Sequence, residues 1–237
     1  MSALNPDLYS GKDPRDVPTY SVPEAANYLR IPLTTLHAWI AGQRYRTRTG
    51  QSRKARPVIR VSPDSPRLLS FWHLVEAYVL AAIRREHQVS LQKVRVALDF
   101  VRKDTGLDRP LIKEDFLTDG VRLFVERYGE LVEANEKGQL AIKSLLEASL
   151  QRIDRDPKGL AERLFPWTRE PHEPRSVEID PRRAFGRLVI VGTGISTAVV
   201  ADRVRAGESI QHLAEDYRLD VSQIEAAIRW ELGATAA

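Results

Sequence analysis

The 237-residue chain has no cysteine. That excludes disulfides, cysteine-ligated zinc and thiol nucleophiles. Its longest apolar runs cover a helical turn or two, far short of the roughly 20 residues a membrane-spanning helix needs. The opening residues, "MSALNPDLYSGKDPRD", lack the basic start and apolar stretch of a secretion signal. The expectation is a cytoplasmic protein with no membrane partner. Aromatic residues make up 7% and alternate little with basic ones, which disfavours a stacking surface for single-stranded RNA. The most informative absence is local. Between Glu24 and Asp64 there is no acidic residue, and the interval holds Arg30, Arg44, Arg46, Arg48, Arg53, Lys54, Arg56 and Arg60. The formal net charge is +4, so the rest of the chain carries −4. A basic segment on an otherwise acidic protein reads as a footprint for a polyanion.

Apolar residues are 43% of the chain, enough to build real cores, and the length suits two or three small domains. Residues 1–18 are polar and Pro-rich and are expected to be flexible. In "YSVPEAANYLRIPLTTLHAWIAG", Ser21 and Glu24 make a capping box, with Val22, Ala25, Ala26 and Leu29 on one face. Pro32 separates this helix from a second, whose stripe is Leu36, Trp39 and Ile40 and which Gly42 stops. Two short helices across a tight turn make a helix-turn-helix. The basic stretch after it contains "TGQS" as a turn and "PVIRVS", which alternates like a strand, so a small hairpin with a basic tip is expected as a wing. A helix capped by Ser70 follows, with an apolar face wide enough for two surfaces, one for the helix-turn-helix and one for a dimer. Ser90 caps the next helix, and the unit spans 19–106.

The middle segment, 107–165, is weakly patterned up to Tyr128. Gln139–Asp156 then reads as a helix or helix pair. Pro166, Pro171, Pro174 and Pro181 follow closely, so 166–176 reads as a linker. The last unit, 177–237, starts with two strand-like pieces, "SVEID" and "RLVIV", and continues with three helices. The second is capped by Ser209, and Asp220 with Gln223 caps the third. The fold class is therefore mainly α, with a winged helix-turn-helix at the N-terminus, a helical middle and a three-helix, helix-turn-helix-like C-terminal unit with short strands.

"RLVIVGTGIST" raises the question of a phosphate-binding glycine loop. Thr197 stands where the dinucleotide fingerprint requires its third glycine, and no second strand with a terminal acid follows. No Gly-Lys-Ser/Thr occurs, so a P-loop fails too. The alternative is a tight turn in which Gly192 and Gly194 adopt angles that other residues avoid. His37, His73, His87, His172 and His212 are scattered, and His73 with Glu76 reads as a cap or surface pair before it reads as ligands. No catalytic residue, metal or cofactor is expected. On the second helix, burial of Leu36, Trp39 and Ile40 leaves Thr34, Thr35 and His37 outside, where a recognition helix meets base edges. Arg44, Arg46, Arg48, Arg53, Lys54 and Arg56 suit phosphates.

"YSVPEAANYLRIPLTTLHAWIAG", the basic hairpin and "LLSFWHLVEAYVLAAIRR" together resemble the winged helix-turn-helix of MerR-type regulators over about 70 residues. "IDPRRAFGRLVIVGTGISTAVVADRVRAGESIQHLAEDYRLDVSQIEAAIRW" resembles a small helical domain of VapB-like antitoxins. The whole layout resembles mycobacterial VapB-type antitoxins of this length. In that family Gly-Arg-Pro often stands where this chain has Gly186-Arg187-Leu188, and Gly-Thr-Arg where it has Gly192-Thr193-Gly194, so a contact from that second arginine has no residue here. The resemblance implies a PIN-domain, VapC-like ribonuclease as toxin partner and repression of the pair's own operon. Operator DNA is the other expected partner, and a homodimer the expected state, through the helix after Ser70 or the strand near Val189. Phe165, Trp167 and Arg169 are candidates for toxin contact, unless the two aromatics anchor the linker on their own protein. The alternative function is a freestanding MerR-like regulator without a toxin.

Overall fold

Ser21 sets where the first helix begins. The computed structural model describes residues 9, 11–46, 50–86, 91–132, 134, 136–167 and 172–232. Strand β1 (Tyr20–Ser21) runs into helix α1 (Val22–Leu29). The Ser21 hydroxyl accepts the Glu24 amide proton at 3.3 Å, while the Glu24 carboxylate accepts from the Tyr28 hydroxyl at 3.0 Å. A cap of this kind is worth about 1 kcal/mol. Helix α2 (Leu33–Ala41) follows a three-residue turn, and strands β2 (Arg44–Arg46) and β3 (Ser52–Lys54) form an antiparallel hairpin. "PVIRVS" is not the strand its alternation suggested. Its Val58 and Ile59 amides donate to the Trp39 carbonyl at 2.9 and 3.2 Å, and these two residues are buried against the end of α2.

Strand β4 (Leu68–Leu69) pairs with β1 and leads into α3 (Phe71–Glu86). Every residue of α3 from His73 to Ile83 is buried. A helix without a solvent face belongs at the centre of a domain. Around it stand α1, helix α6 (Glu136–Leu150) and strand β6 (Ala161–Leu164). The second apolar surface of α3, expected to serve a dimer, is thus consumed inside the protomer. Helix α4 (Leu91–Thr105) buries Val94, Ala97, Leu98 and Val101. A 3₁₀ turn (Pro110–Ile112) and a π turn (Phe116–Gly120) precede α5 (Val121–Val132), which packs between α4 and α6.

The expected helix over 139–156 stops at Leu150, and β5 (Ile153–Arg155) begins an antiparallel sheet ordered β5-β6-β7-β8, with β7 (Val177–Ile179) and β8 (Leu188–Ile190). Leu164 on β6 pairs with Ile179 on β7, so the sheet spans the Pro-rich 166–176 segment. Arg152 fastens that segment. Its guanidinium donates to the carbonyls of Phe165 at 2.8 Å and Pro166 at 3.2 Å, and to that of Glu173. Three helices complete the described chain: α7 (Thr197–Arg205), α8 (Ile210–Tyr217) and α9 (Val221–Leu232). They enclose a small core of Ile190, Val200, Leu213, Ala214, Ile224 and Ala227, while Trp230 joins the main core.

The N-terminal expectation of flexibility does not hold from Gly11 onward. Arg15 pairs with Asp13 at 2.7 Å and Asp156 at 2.6 Å and lies over the Trp72 ring, and its carbonyl accepts the Trp72 amide proton. One guanidinium thereby ties this segment to both the central helix and the sheet. No described helix is long and apolar enough to cross a membrane.

Candidate nucleic-acid interface

Helices α1 and α2 are short because the sequence punctuates them. Arg30 closes α1 in the left-handed conformation, φ 54°, with its amide donating to the carbonyls of Ala26 and Asn27. The Ile31 amide then reaches Ala26 O at 3.0 Å, and Pro32 opens α2. This pattern of bonds absorbs the last carbonyls of α1 and turns the chain sharply. Leu36, Trp39 and Ile40 are buried, which orients α2 on the core. Thr34 and His37 are exposed and Thr35 is half-buried, so all three lie on or beside the outer face.

The hairpin stands directly after α2, and Gly42 makes that connection possible. At φ 74° its α-carbon passes so close to the Ala55 carbonyl that a Cβ there would lie 2.1 Å from the oxygen. The Ala55 amide donates to Gln43 O at 2.8 Å, closing the base of the hairpin. The register sets Arg44 opposite Lys54 and Tyr45 opposite Arg53. Like charges across an antiparallel pair are unfavourable in an isolated protein. Such a pairing is relieved when a polyanion covers it. Lys54 and Arg56 are exposed. The tip at residues 47–49, including Arg48, lies outside the described residues, as does Arg169. The hairpin and α2 are thus adjoining elements, and together they carry hydroxyls, an imidazole and basic residues drawn from an acid-free interval.

Behind this surface, Arg30 meets the other end of the chain. Its guanidinium carbon lies 5.1 Å from the centre of the Trp230 ring on α9, and its three nitrogens are buried with no hydrogen-bond partner among the described residues. In the sequence Arg30 is only one more positive charge in the basic interval. A half-buried arginine in a left-handed turn, next to no acid in sequence, gives little local signal of a distant aromatic partner.

His73 is a cap, not a ligand. The Ser70 amide donates to His73 Nδ1 at 3.0 Å, the His73 amide reaches Ser70 Oγ at 3.4 Å, and Nε2 lies 3.0 Å from the Arg60 carbonyl. These partners require the neutral ring with its proton on Nε2. Burial, followed by the charge of Arg109, pushes its pKa down. Glu76, one turn on, is held by Arg109 through bonds of 3.2 and 2.8 Å.

Phe165 and Trp167 are each 4% exposed. Arg163 and Arg175 stack on the Phe165 ring, and Trp167 packs in the main core. Both aromatics anchor the Pro-rich segment on their own protein, which removes them from any surface a toxin could reach. The strand near Val189 is closed as well. Val189 is fully buried and bridges to Ser196, so this edge of the sheet is already covered. In the glycine turn, Gly192 has φ 78° but Gly194 does not need positive φ. The Gly192 amide donates to the carboxylate of Glu178 at 3.2 Å, occupying a group that a phosphate would require.

Residues 18–98 match a domain family described as "Putative DNA-binding HTH domain", and residues 177–230 match one described as "Protein of unknown function (DUF433)". The chain is 34% identical over 229 residues to "Putative antitoxin VapB45" of Mycobacterium tuberculosis, covering 90% of this chain and 93% of the relative. It is 27% identical to "Uncharacterized protein Rv2308" of the same organism, over 90% of each. The X-ray crystal structure of Rv2018 from Mycobacterium tuberculosis superposes with a TM-score of 0.68 at 31% identity, over 90% of this chain and 98% of that one. This chain, with its N-terminal helix-turn-helix, belongs to the family of VapB-type antitoxins represented by VapB45.

Proposed function

We propose that the chain is the antitoxin of a type II toxin–antitoxin pair. It binds and neutralises a PIN-domain, VapC-like ribonuclease and represses its own operon as a cytoplasmic homodimer. Membership of the VapB-type family supports the toxin half. The DNA half rests on one observation: Thr34, Thr35 and His37 on α2 are followed by a hairpin that sets Arg44 opposite Lys54, in a stretch free of acids. In this reading β2 and β3 are the wing, and α2 lies in the major groove.

Helices α8 and α9 form a second helix-turn-helix-like pair, but their charge argues for protein contacts. Glu215, Asp216, Asp220 and Glu225 surround that turn, and Arg203 is already held by Glu208 and Asp216 at 2.5 Å each. Acids at that density repel phosphate. The chain works by binding, not catalysis. Strand β8 runs antiparallel to β7, so it does not enter the βαβ unit that a dinucleotide loop requires. The dimer contact lies elsewhere than α3 or β8, both of which are covered within the protomer.

Co-expression with the product of the adjacent gene tests the reading. A stable complex and relief of growth arrest are expected. Failure of both overturns the antitoxin assignment, and binding to the promoter fragment without any toxin partner would make the chain a freestanding regulator.

A further inference from the structure

Helices α7, α8 and α9 carry their own small core, and among the described residues Trp230 is the only side chain of these three helices that joins the main one. It lands on the turn between α1 and α2, where the Arg30 guanidinium carbon lies 5.1 Å from the centre of its ring. Burial pushes the Arg30 pKa down, and the charge of Glu231, the residue after Trp230, opposes that push. Glu231 itself accepts from the Thr197 hydroxyl at 2.6 Å. Helix α9 therefore offers the turn a ring and a carboxylate in succession.

The contact is costly on both sides. The Arg30 backbone is left-handed, φ 54°, a conformation that glycine adopts without strain. Its three guanidinium nitrogens are buried without a hydrogen-bond partner among the described residues, and so is Trp230 Nε1. Buried polar groups left unpaired cost free energy. Residues held in unfavourable conformations by their surroundings cluster at functional positions. A glycine at 30 would avoid these costs and leave the Trp230 ring without its cation. Leu29 and Ile31 are buried beside it, but Arg30 alone of the three stacks on α9. Thr34 and Thr35 follow in the first turn of α2. A recognition helix reads base edges from its N-terminal residues, so a shift of the turn passes straight to them. The far end of α2 is held separately, at the Trp39 carbonyl, by the Val58 and Ile59 amides.

We infer that α9 positions the DNA-reading helix. Trp230, stacked on Arg30, fixes the turn from which α2 starts, so the N-terminal module binds its operator at full affinity only while the C-terminal unit is docked. Arg30 and Trp230 are positioning residues, and neither touches DNA. The inference rests on the reading of α2 as the recognition helix. It makes the C-terminal unit part of the DNA-binding machinery although the acids around its own turn repel phosphate. Coupling of this kind is reciprocal, so DNA that fixes the turn also steadies α9.

The test uses the full chain and its own promoter fragment, with affinity, salt dependence and Tm measured together. Arg30→Gly and Trp230→Leu each weaken binding at least fivefold. The double variant binds within twofold of the weaker single one, since the same contact is lost in all three. Trp230→Phe keeps a ring for the guanidinium and removes an unpaired N–H, and it binds within twofold of wild type. The salt slope of Arg30→Gly is that of wild type, because no phosphate contact has gone. Hydrogen exchange in Val221–Leu232 slows when the fragment binds wild type and does not slow in Arg30→Gly. Should Trp230→Leu fail to fold, Arg30→Gly still decides through affinity, slope and exchange. Affinity within twofold of wild type in Arg30→Gly overturns the inference and leaves the DNA reading intact. A slope shallower by about 0.9 makes Arg30 a phosphate contact and overturns it too. Additive losses in the double variant, or exchange in α9 that ignores the fragment, have the same consequence. A wild-type chain that does not bind the fragment overturns the DNA reading itself.

Discussion

His73 occupies the third position of α3 and closes its N-terminus with Ser70, where a glutamate or glutamine more often stands. Both ring nitrogens are committed to the neutral form, and burial depresses its pKa. The unfolded histidine titrates near 6.5. Below that value the unfolded chain takes up a proton the folded chain refuses, so stability falls as pH falls. Tm is expected to drop between pH 7 and pH 5, and to drop less in His73→Gln, which keeps an acceptor at the cap but does not titrate. Identical pH profiles would remove His73 from this role. At Arg30, two effects of similar size oppose each other. Glycine there would relieve the left-handed backbone by roughly 1 kcal/mol, while losing stacking on Trp230 worth about 0.5–2 kcal/mol. Arg30→Gly should therefore leave Tm within about 4 °C of wild type. A fall of much more than that, followed by differential scanning fluorimetry, would mean the guanidinium carries a larger part of the contact. Neither role was legible in the sequence beyond its first half. Ser70 announced a cap, but the imidazole partner at the third position did not. Arg30 announced a charge, but its aromatic partner lies 200 residues away.

At the scale of elements, helices with two signals at each end were legible, and short strands were not. Ser21, Pro32 and Gly42 bracket α1 and α2, and their stripes of buried residues follow from spacing alone. "PVIRVS" and Ile153 failed in opposite directions. The first has strand-like alternation, but both Val58 and Ile59 are buried by Trp39, so alternation reported no sheet face there. The second continued a leucine-rich helical pattern, yet Arg152 leaves the helix to clamp the Pro-rich segment, and pairing with Leu164 takes over. Tertiary contact decides such short pieces. Gly42 gives a test of the hairpin as an element. Gly42→Ala forces the chain away from Ala55 O and should swing the hairpin from its seat on α2. It is expected to weaken promoter binding at least fivefold although position 42 carries no charge. Unchanged DNA affinity in a folded variant would show that the hairpin does not need its present position to bind.

Over the whole molecule, the C-terminal unit is not a separate bead on a linker. Its strands β7 and β8 extend the sheet begun by β5 and β6, and Trp230 reaches the turn between α1 and α2. Prolines between 166 and 176 suggested a boundary because composition reports chain stiffness, not what lies on either side. Arg152 and the buried rings of Phe165 and Trp167 show how such a segment is held. The surface proposed to read DNA leans on α1 through the turn at Arg30, and Gly186 of the C-terminal unit packs on the Tyr20 ring of β1 just before that helix. The segment's charge was legible from the start, and it carries the central claim. The most direct test is the salt dependence of binding to the chain's own promoter fragment, for wild type and for the triple replacement of Arg46, Arg48 and Arg53 by alanine. Binding through phosphates predicts a log–log slope for wild type that becomes shallower by about 0.9 for each contact removed, with weaker affinity at every salt concentration. An unchanged slope and affinity in the triple variant would contradict the account.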